Sequence, residues 1–201
     1  MQNLDLALKH LRKDPILKII VDQFGKIDYP PPPDRFASLV SSIIGQQLSG
    51  KAADTIYARF LQLFPKGKYS PQDIIRISDL ELRACGTSWA KVRSLKDLSQ
   101  KVLDHALNLD KLDKLSDEEV VSHLVQVKGI GRWTAEMKLM FTLHRPDVFP
   151  LDDRGIQNAM IKLYGLKDNK KLTTNMLKTS DSWKPYRTLA CWYLWKSLDN
   201  G

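Results

Sequence analysis

Residues 125–154 read VQVKGIGRWTAEMKLMFTLHRPDVFPLDDR, and the fold turns on this stretch. Lys128-Gly129-Ile130-Gly131 interrupts two apolar helical patterns. One ends near Val125, and the other runs from Arg132 to about Leu143. Pro150-Leu151-Asp152-Asp153 follows and opens another helix pattern. Glycine permits positive φ and close backbone approach. Two glycines one residue apart, between helices, let main-chain N–H groups converge near the second helix's N-terminus. Such a nest binds anions, helped by the helix dipole. Lys128 and Arg132 flank it with charge. Taken alone, a G-x-G turn is more often an ordinary helix–helix turn that binds nothing, because short glycine motifs are weak signals.

Asp152 and Asp153 pose the same choice. An aspartate before a helix is most simply an N-cap. The same position favours the anion, so a capping carboxylate is also suited to electrostatic work.

Outside this stretch the chain reads as helices throughout. Residues 1–25 give two short helices, the second starting at Asp14-Pro15 with Gly25 beyond its end. Pro30 to Pro33 is extended. Asp34 caps a helix bearing Phe36, Leu39, Val40 and Ile43, which ends in Gln46 and Gln47, two amides at an apolar helix end. Ser49 begins a helix through Phe64, and Ser70-Pro71 and Ser78-x-x-Glu81 begin two more. Gly86 ends the last of these, and Thr87 to Lys91 opens a long helix reaching about Leu107. Its Lys91 and Arg93 fit either phosphate contacts or a solvated face, and Trp89 is read as core. Ser116 to Glu119 is a capping box before a helix whose Val120, Val121, Leu124 and Val125 face inward. Ile156, Met160 and Leu163 form a further stripe with Gly165 past its end. Residues 166–182 read as loop with little helix, and a last helix spans about Pro185 to Leu198. No strand alternation occurs, so the fold class is all-α, with about ten helices.

The 201 residues suffice for one core or two small lobes. With 43% hydrophobic and 27% charged residues, the composition is that of a soluble globular protein. The net charge of +8 and pI near 9.4 favour a polyanionic partner. No apolar run is long enough for a membrane span, and the N-terminus lacks a signal-peptide core. Cys85 and Cys191 form no C-x-x-C pair, which excludes a four-cysteine cluster. His10, His105, His123 and His144 show no ligand spacing.

Gly129-Ile130-Gly131-Arg132-Trp133-Thr134-Ala135, then Asp147-Val148-Phe149-Pro150, then Asp152-Asp153 resemble, in that order, the helix-hairpin-helix DNA glycosylase superfamily. The branch it most resembles is the alkylpurine type, 3-methyladenine DNA glycosylase II. The resemblance covers roughly residues 30–198. It implies a two-lobed helical bundle forming one catalytic unit over 1–201, with lobes at 36–125 and at 1–35 plus 126–201 and the active cleft between them. Motif matching makes Asp153 catalytic and Asp152 structural. Bifunctional members carry a Schiff-base lysine where this chain has Trp133, so the resemblance implies a monofunctional enzyme that leaves an abasic site. It places Trp133, Trp195 and Met137 in the base pocket. Gln47, Leu48 or Gln46 would fill the gap left by the flipped base. Lys128, Gly129, Ile130, Gly131, Arg132 and Thr134 would hold the DNA backbone. No cofactor is required, although the carbonyls of Val125, Val127 and Ile130 are expected to suit a structural Na+ or K+. The expected partner is double-stranded DNA containing a damaged base, met by a monomer with no membrane attachment. The location would be the bacterial cytoplasm, at the nucleoid, or the eukaryotic nucleus. Two other readings stay open: a glycosylase for deaminated bases such as hypoxanthine or uracil, and a hairpin protein that binds DNA without catalysis.

Overall fold

The computed structural model describes residues 4–28 and 31–199. Pro30, the first residue of the expected extended run, lies outside them; Pro31 to Pro33 are non-helical. Among the described residues there are twelve α-helices and no strand. They are α1 (Leu4–Leu11), α2 (Pro15–Phe24), α3 (Arg35–Gly45), α4 (Gly50–Leu61), α5 (Pro71–Arg76), α6 (Asp79–Ala84), α7 (Trp89–Leu103), α8 (Asp117–Leu124), α9 (Arg132–Phe141), α10 (Arg154–Tyr164), α11 (Leu172–Ser180) and α12 (Arg187–Asp199). None is long and apolar enough to cross a membrane.

The chain forms two compact units, one of residues 33–138 and the other of 1–32 with 139–201. The first is built on α7, which packs against α3, α5 and α6. Val92, Leu95 and Leu98 of α7 are fully buried, as are Phe60, Ile74 and Leu82 around it. Short helices here depend on their ends. Ser70 with Asp73, Ser78 with Glu81, and Ser116 with Glu119 each make a reciprocal capping box, an arrangement in which the N-cap alone contributes about 1 kcal/mol.

In the second unit α12 packs against α2 and α10. Leu189, Ala190, Cys191, Tyr193 and Leu194 are buried. Asp14 ties the unit together: it caps α2 through the Ile16 and Leu17 N–H groups and accepts from Trp183 Nε1 at 2.9 Å and Tyr164 OH at 3.0 Å. Arg187, at the start of α12, grips Asp147 through Nε at 2.7 Å and Nη2 at 2.8 Å. That pair fixes the loop leading to Asp153.

The structure departs from expectation in four places. Residues 172–180 are helical, with Leu172, Met176 and Ser180 buried at four-residue spacing. Two apolar anchors among lysines are too sparse a stripe to read from sequence. Val125 is 42% exposed, because it is the C-cap of α8 and its chain is already turning away. Trp89 is 46% exposed, with the Arg83 guanidinium over its ring. Finally, the hairpin packs with the 33–138 unit and not with a 126–201 lobe. Its backbone is tied there: Asp97 accepts from Lys128 N–H at 2.8 Å, and Gln46 Nε2 donates to the Gly129 carbonyl at 2.7 Å.

Candidate active site and nucleic-acid interface

The hairpin is the exposed turn between α8 and α9. Val127 and Ile130 are buried anchors, and Lys128, Gly129, Gly131 and Arg132 are exposed. Gly129 has φ +81°, and a Cβ there would lie 2.5 Å from Ser94 Oγ, so both the turn and its close packing require glycine. Part of the expected nest is already engaged. Lys128 N–H serves Asp97 and Ile130 N–H bonds the Val127 carbonyl at 3.0 Å. The first turn of α9 follows directly, beginning at Arg132. Arg132 is not a free cation. Its Nε meets Glu136 at 3.1 Å and its Nη2 meets Glu118 at 2.5 Å. Lys128 is exposed beside it. Thr134 is buried at 7% exposure, on a cavity wall instead of the turn surface.

That cavity has a volume of about 310 Å³ and is lined by Ser42, Gly45, Gln46, Gln47, Leu48, Trp133, Thr134 and Met137. It unites the three gap-filling candidates with two of the three pocket candidates. Trp133 is 46% exposed and Leu48 37%, large apolar surfaces left open to solvent at one spot. Gln47 adopts φ +57°, a left-handed conformation that costs a non-glycine residue about 1–2 kcal/mol. Strain of this kind concentrates at working positions. No charged side chain lines the cavity.

The third pocket candidate belongs to the other unit, beside the carboxylate. Asp153 is the N-cap of α10, and its Oδ1 accepts from Ile156 N–H at 2.8 Å. Trp195 Nε1 donates to the same oxygen at 2.9 Å. Asp153 is 7% exposed, whereas Asp152 is exposed. Trp195 also lies against Phe141, with ring centroids 5.9 Å apart. Gly155 leaves room for the pair: a Cβ there would meet Asp153 Oδ1 and Trp195 Cδ1 at 3.0 Å each. The capping carboxylate is thus also held by an indole donor.

A model of the HhH-GPD superfamily, base excision DNA repair proteins, matches residues 40–185. The chain belongs to this family. Among its HhH-GPD relatives, DNA-3-methyladenine glycosylase 1 of Schizosaccharomyces pombe is 40% identical over 166 residues, which cover 81% of this chain and 72% of the relative. The alkylbase DNA glycosidase-like protein mag2 of the same yeast is 32% identical over 196 residues, 94% of this chain and 92% of the relative. The S. pombe 3-methyladenine DNA glycosylase solved with abasic DNA superposes with a TM-score of 0.82 at 36% identity, covering 94% of this chain and 95% of that one. A DNA-3-methyladenine glycosidase structure from Bacillus halodurans gives 0.83 at 38% identity, covering 95% and 88%.

Sequence reasoning missed four residues. Gly155 and Phe141 carry no local signature. Ser94 and Asp97 sit on α7, more than thirty residues from the hairpin they support, and only the fold brings them together.

Proposed function

We propose that this protein is a monofunctional DNA glycosylase that removes alkylated purines, of the 3-methyladenine and 7-methylguanine type, from duplex DNA and leaves an abasic site for base excision repair. The observation that carries the reading is the Asp153 carboxylate, buried at a helix N-terminus and oriented by Trp195, in a chain whose relatives are named for this activity.

The reaction is hydrolysis of the N-glycosidic bond. The bond between C1′ and the ring nitrogen breaks, and its electron pair neutralises the cationic base, so no strong general acid is needed. Positive charge develops on the sugar. Asp153 stabilises it electrostatically and accepts a proton from the water that bonds to C1′. Trp195 holds the carboxylate in one orientation. Trp133 offers a π-face, and Met137 a polarisable thioether, to an electron-poor base. With tryptophan at position 133, no amine is supplied there for a Schiff base, which leaves the phosphodiester intact.

Base extrusion requires something to occupy the gap, a role for Gln47 and Leu48 with Gln46 beside them. Gly129, Ile130 and Gly131 present the backbone turn, and Lys128 adds charge; Arg132, paired to two glutamates, chiefly holds the hairpin's shape. The carbonyls of Val125, Val127 and Ile130 are neutral oxygen donors of the kind a monovalent cation takes. The Val127 carbonyl, which already accepts from Ile130 N–H, keeps a second lone pair for it. Such an ion would add positive charge facing a phosphate. The protein would act as a monomer on damaged DNA, at the nucleoid of a bacterium or in a eukaryotic nucleus.

The test is release of free methylpurine from methylated duplex DNA. Strands should stay intact until alkali is added. Cleavage without alkali would contradict the monofunctional reading, and retention of all bases would contradict the glycosylase.

A further inference from the structure

We propose that Lys91 is a positioning residue that fixes the gap-filling loop, and that α7 sets the spacing between that loop and the DNA-gripping hairpin. The proposal rests on the glycosylase reading above. Lys91 stands in the first turn of α7. Its Nζ donates to the Ile44 carbonyl at 2.8 Å and to the Gln46 carbonyl at 2.9 Å. These acceptors bracket Gly45, the last residue of α3. The final carbonyls of a helix lack partners within it and attract a cation. Lys91 therefore clamps the end of α3 at the point where the chain leaves for Gln47 and Leu48.

The same face of α7 holds the hairpin. Ser94 and Asp97 follow Lys91 at three-residue steps, which align on one helix face. Gly129 packs on Ser94, and Asp97 accepts from Lys128 N–H. A direct brace completes the triangle, since Gln46 Nε2 donates to the Gly129 carbonyl. Gln46 is thereby engaged as a tether, and Gln47 and Leu48 remain to occupy the gap. One rigid helix thus holds both parts that touch DNA. Freed of Lys91, the loop can hinge at Gly45, and misplacement of about 1 Å in a positioned group is enough to lose large factors in rate.

The experiment places 2-aminopurine opposite a tetrahydrofuran abasic analogue in a duplex. Fluorescence is read at saturating protein, so that weaker binding does not register. Methylpurine release from methylated duplex and single-stranded DNA is measured alongside. Wild type should raise fluorescence. K91M should bring that plateau down to near the free-duplex value, and lower the duplex-to-single-strand ratio of release. K91R, which can still reach two carbonyls, should recover most of both. A wild-type plateau in K91M overturns the proposal. So does an equal loss on both DNA forms, or a loss in K91R matching K91M, since either indicates support of the fold alone. Absence of any fluorescence rise in wild type also overturns it. A rise without methylpurine release, lost in K91M, would sustain the role of Lys91 and sink the alkylpurine reading instead.

Discussion

Trp195 Nε1 donates to Asp153 Oδ1 at 2.9 Å, on the same oxygen that takes the Ile156 N–H. The indole therefore orients the carboxylate. Trp195→Phe keeps the ring's bulk and deletes the donor. Hydrogen bonds to charged groups contribute about 1.5–3 kcal/mol to stability, so the thermal midpoint should fall by several degrees, and kcat for methylpurine release should fall by about tenfold or more as the carboxylate loses its orientation. An unaltered kcat would show that Asp153 is held without the indole.

Gly155 tests the same contact from the other side. An alanine Cβ would come within 3.0 Å of Asp153 Oδ1 and 3.1 Å of Trp195 Nε1. Backbone strain is not at issue there. Gly155→Ala should push the two apart, reducing kcat with little effect on DNA affinity. Loss of affinity with unchanged kcat would contradict this.

Gly129 has two independent reasons to be glycine, its φ of +81° and the 2.5 Å approach to Ser94 Oγ. Gly129→Ala should weaken binding to an abasic-analogue duplex and destabilise the protein by about 1–2 kcal/mol from backbone conformation alone, with the clash in addition. Adding Ser94→Ala should recover the clash portion only. Denaturant unfolding of the two single variants and the double variant measures both parts. Complete recovery in the double variant would show that φ is unimportant.

How far the sequence revealed these contacts depends on their separation along the chain. The hairpin turn and the N-cap at Asp153 were legible because their signals are local, two glycines in a turn and an aspartate before a helix, whereas the roles expected of them came from the family resemblance. Ser70, Ser78 and Ser116 announced their helices for the same reason. Trp195 was placed by family resemblance in a pocket, but its bond to a residue 42 positions earlier was invisible. Lys91 looked like a phosphate ligand or a solvated residue, because its carbonyl acceptors lie more than forty residues away and have no side-chain signature. Helix α11 escaped notice because two buried apolar residues in nine make no amphipathic stripe.

Lys138 supplies a pH dependence. It is 9% exposed, its Nζ bonded to the Ser38 carbonyl at 3.0 Å and hydroxyl at 2.8 Å, and burial pushes its pKa down to about 8. The unfolded chain has the ordinary lysine value near 10.4. Between these two values the unfolded state binds more protons, so stability rises with pH across that window; below about pH 8 the full cost applies, on the order of 3 kcal/mol. The unfolding free energy of wild type minus that of Lys138→Met should therefore increase from pH 8 to 10. A flat difference, measured by urea titration at each pH, would show that Lys138 is not held as a disfavoured cation.

The most direct measurement compares wild type with Asp153→Asn for release of 3-methyladenine and 7-methylguanine from methylated duplex DNA, under conditions where both bind an abasic-analogue duplex equally. The amide keeps the shape and an oxygen to cap α10 but lacks the negative charge. Release by wild type, reduced by at least about 100-fold in the variant, is the predicted result. Release by Asp153→Asn at the wild-type rate would contradict the account.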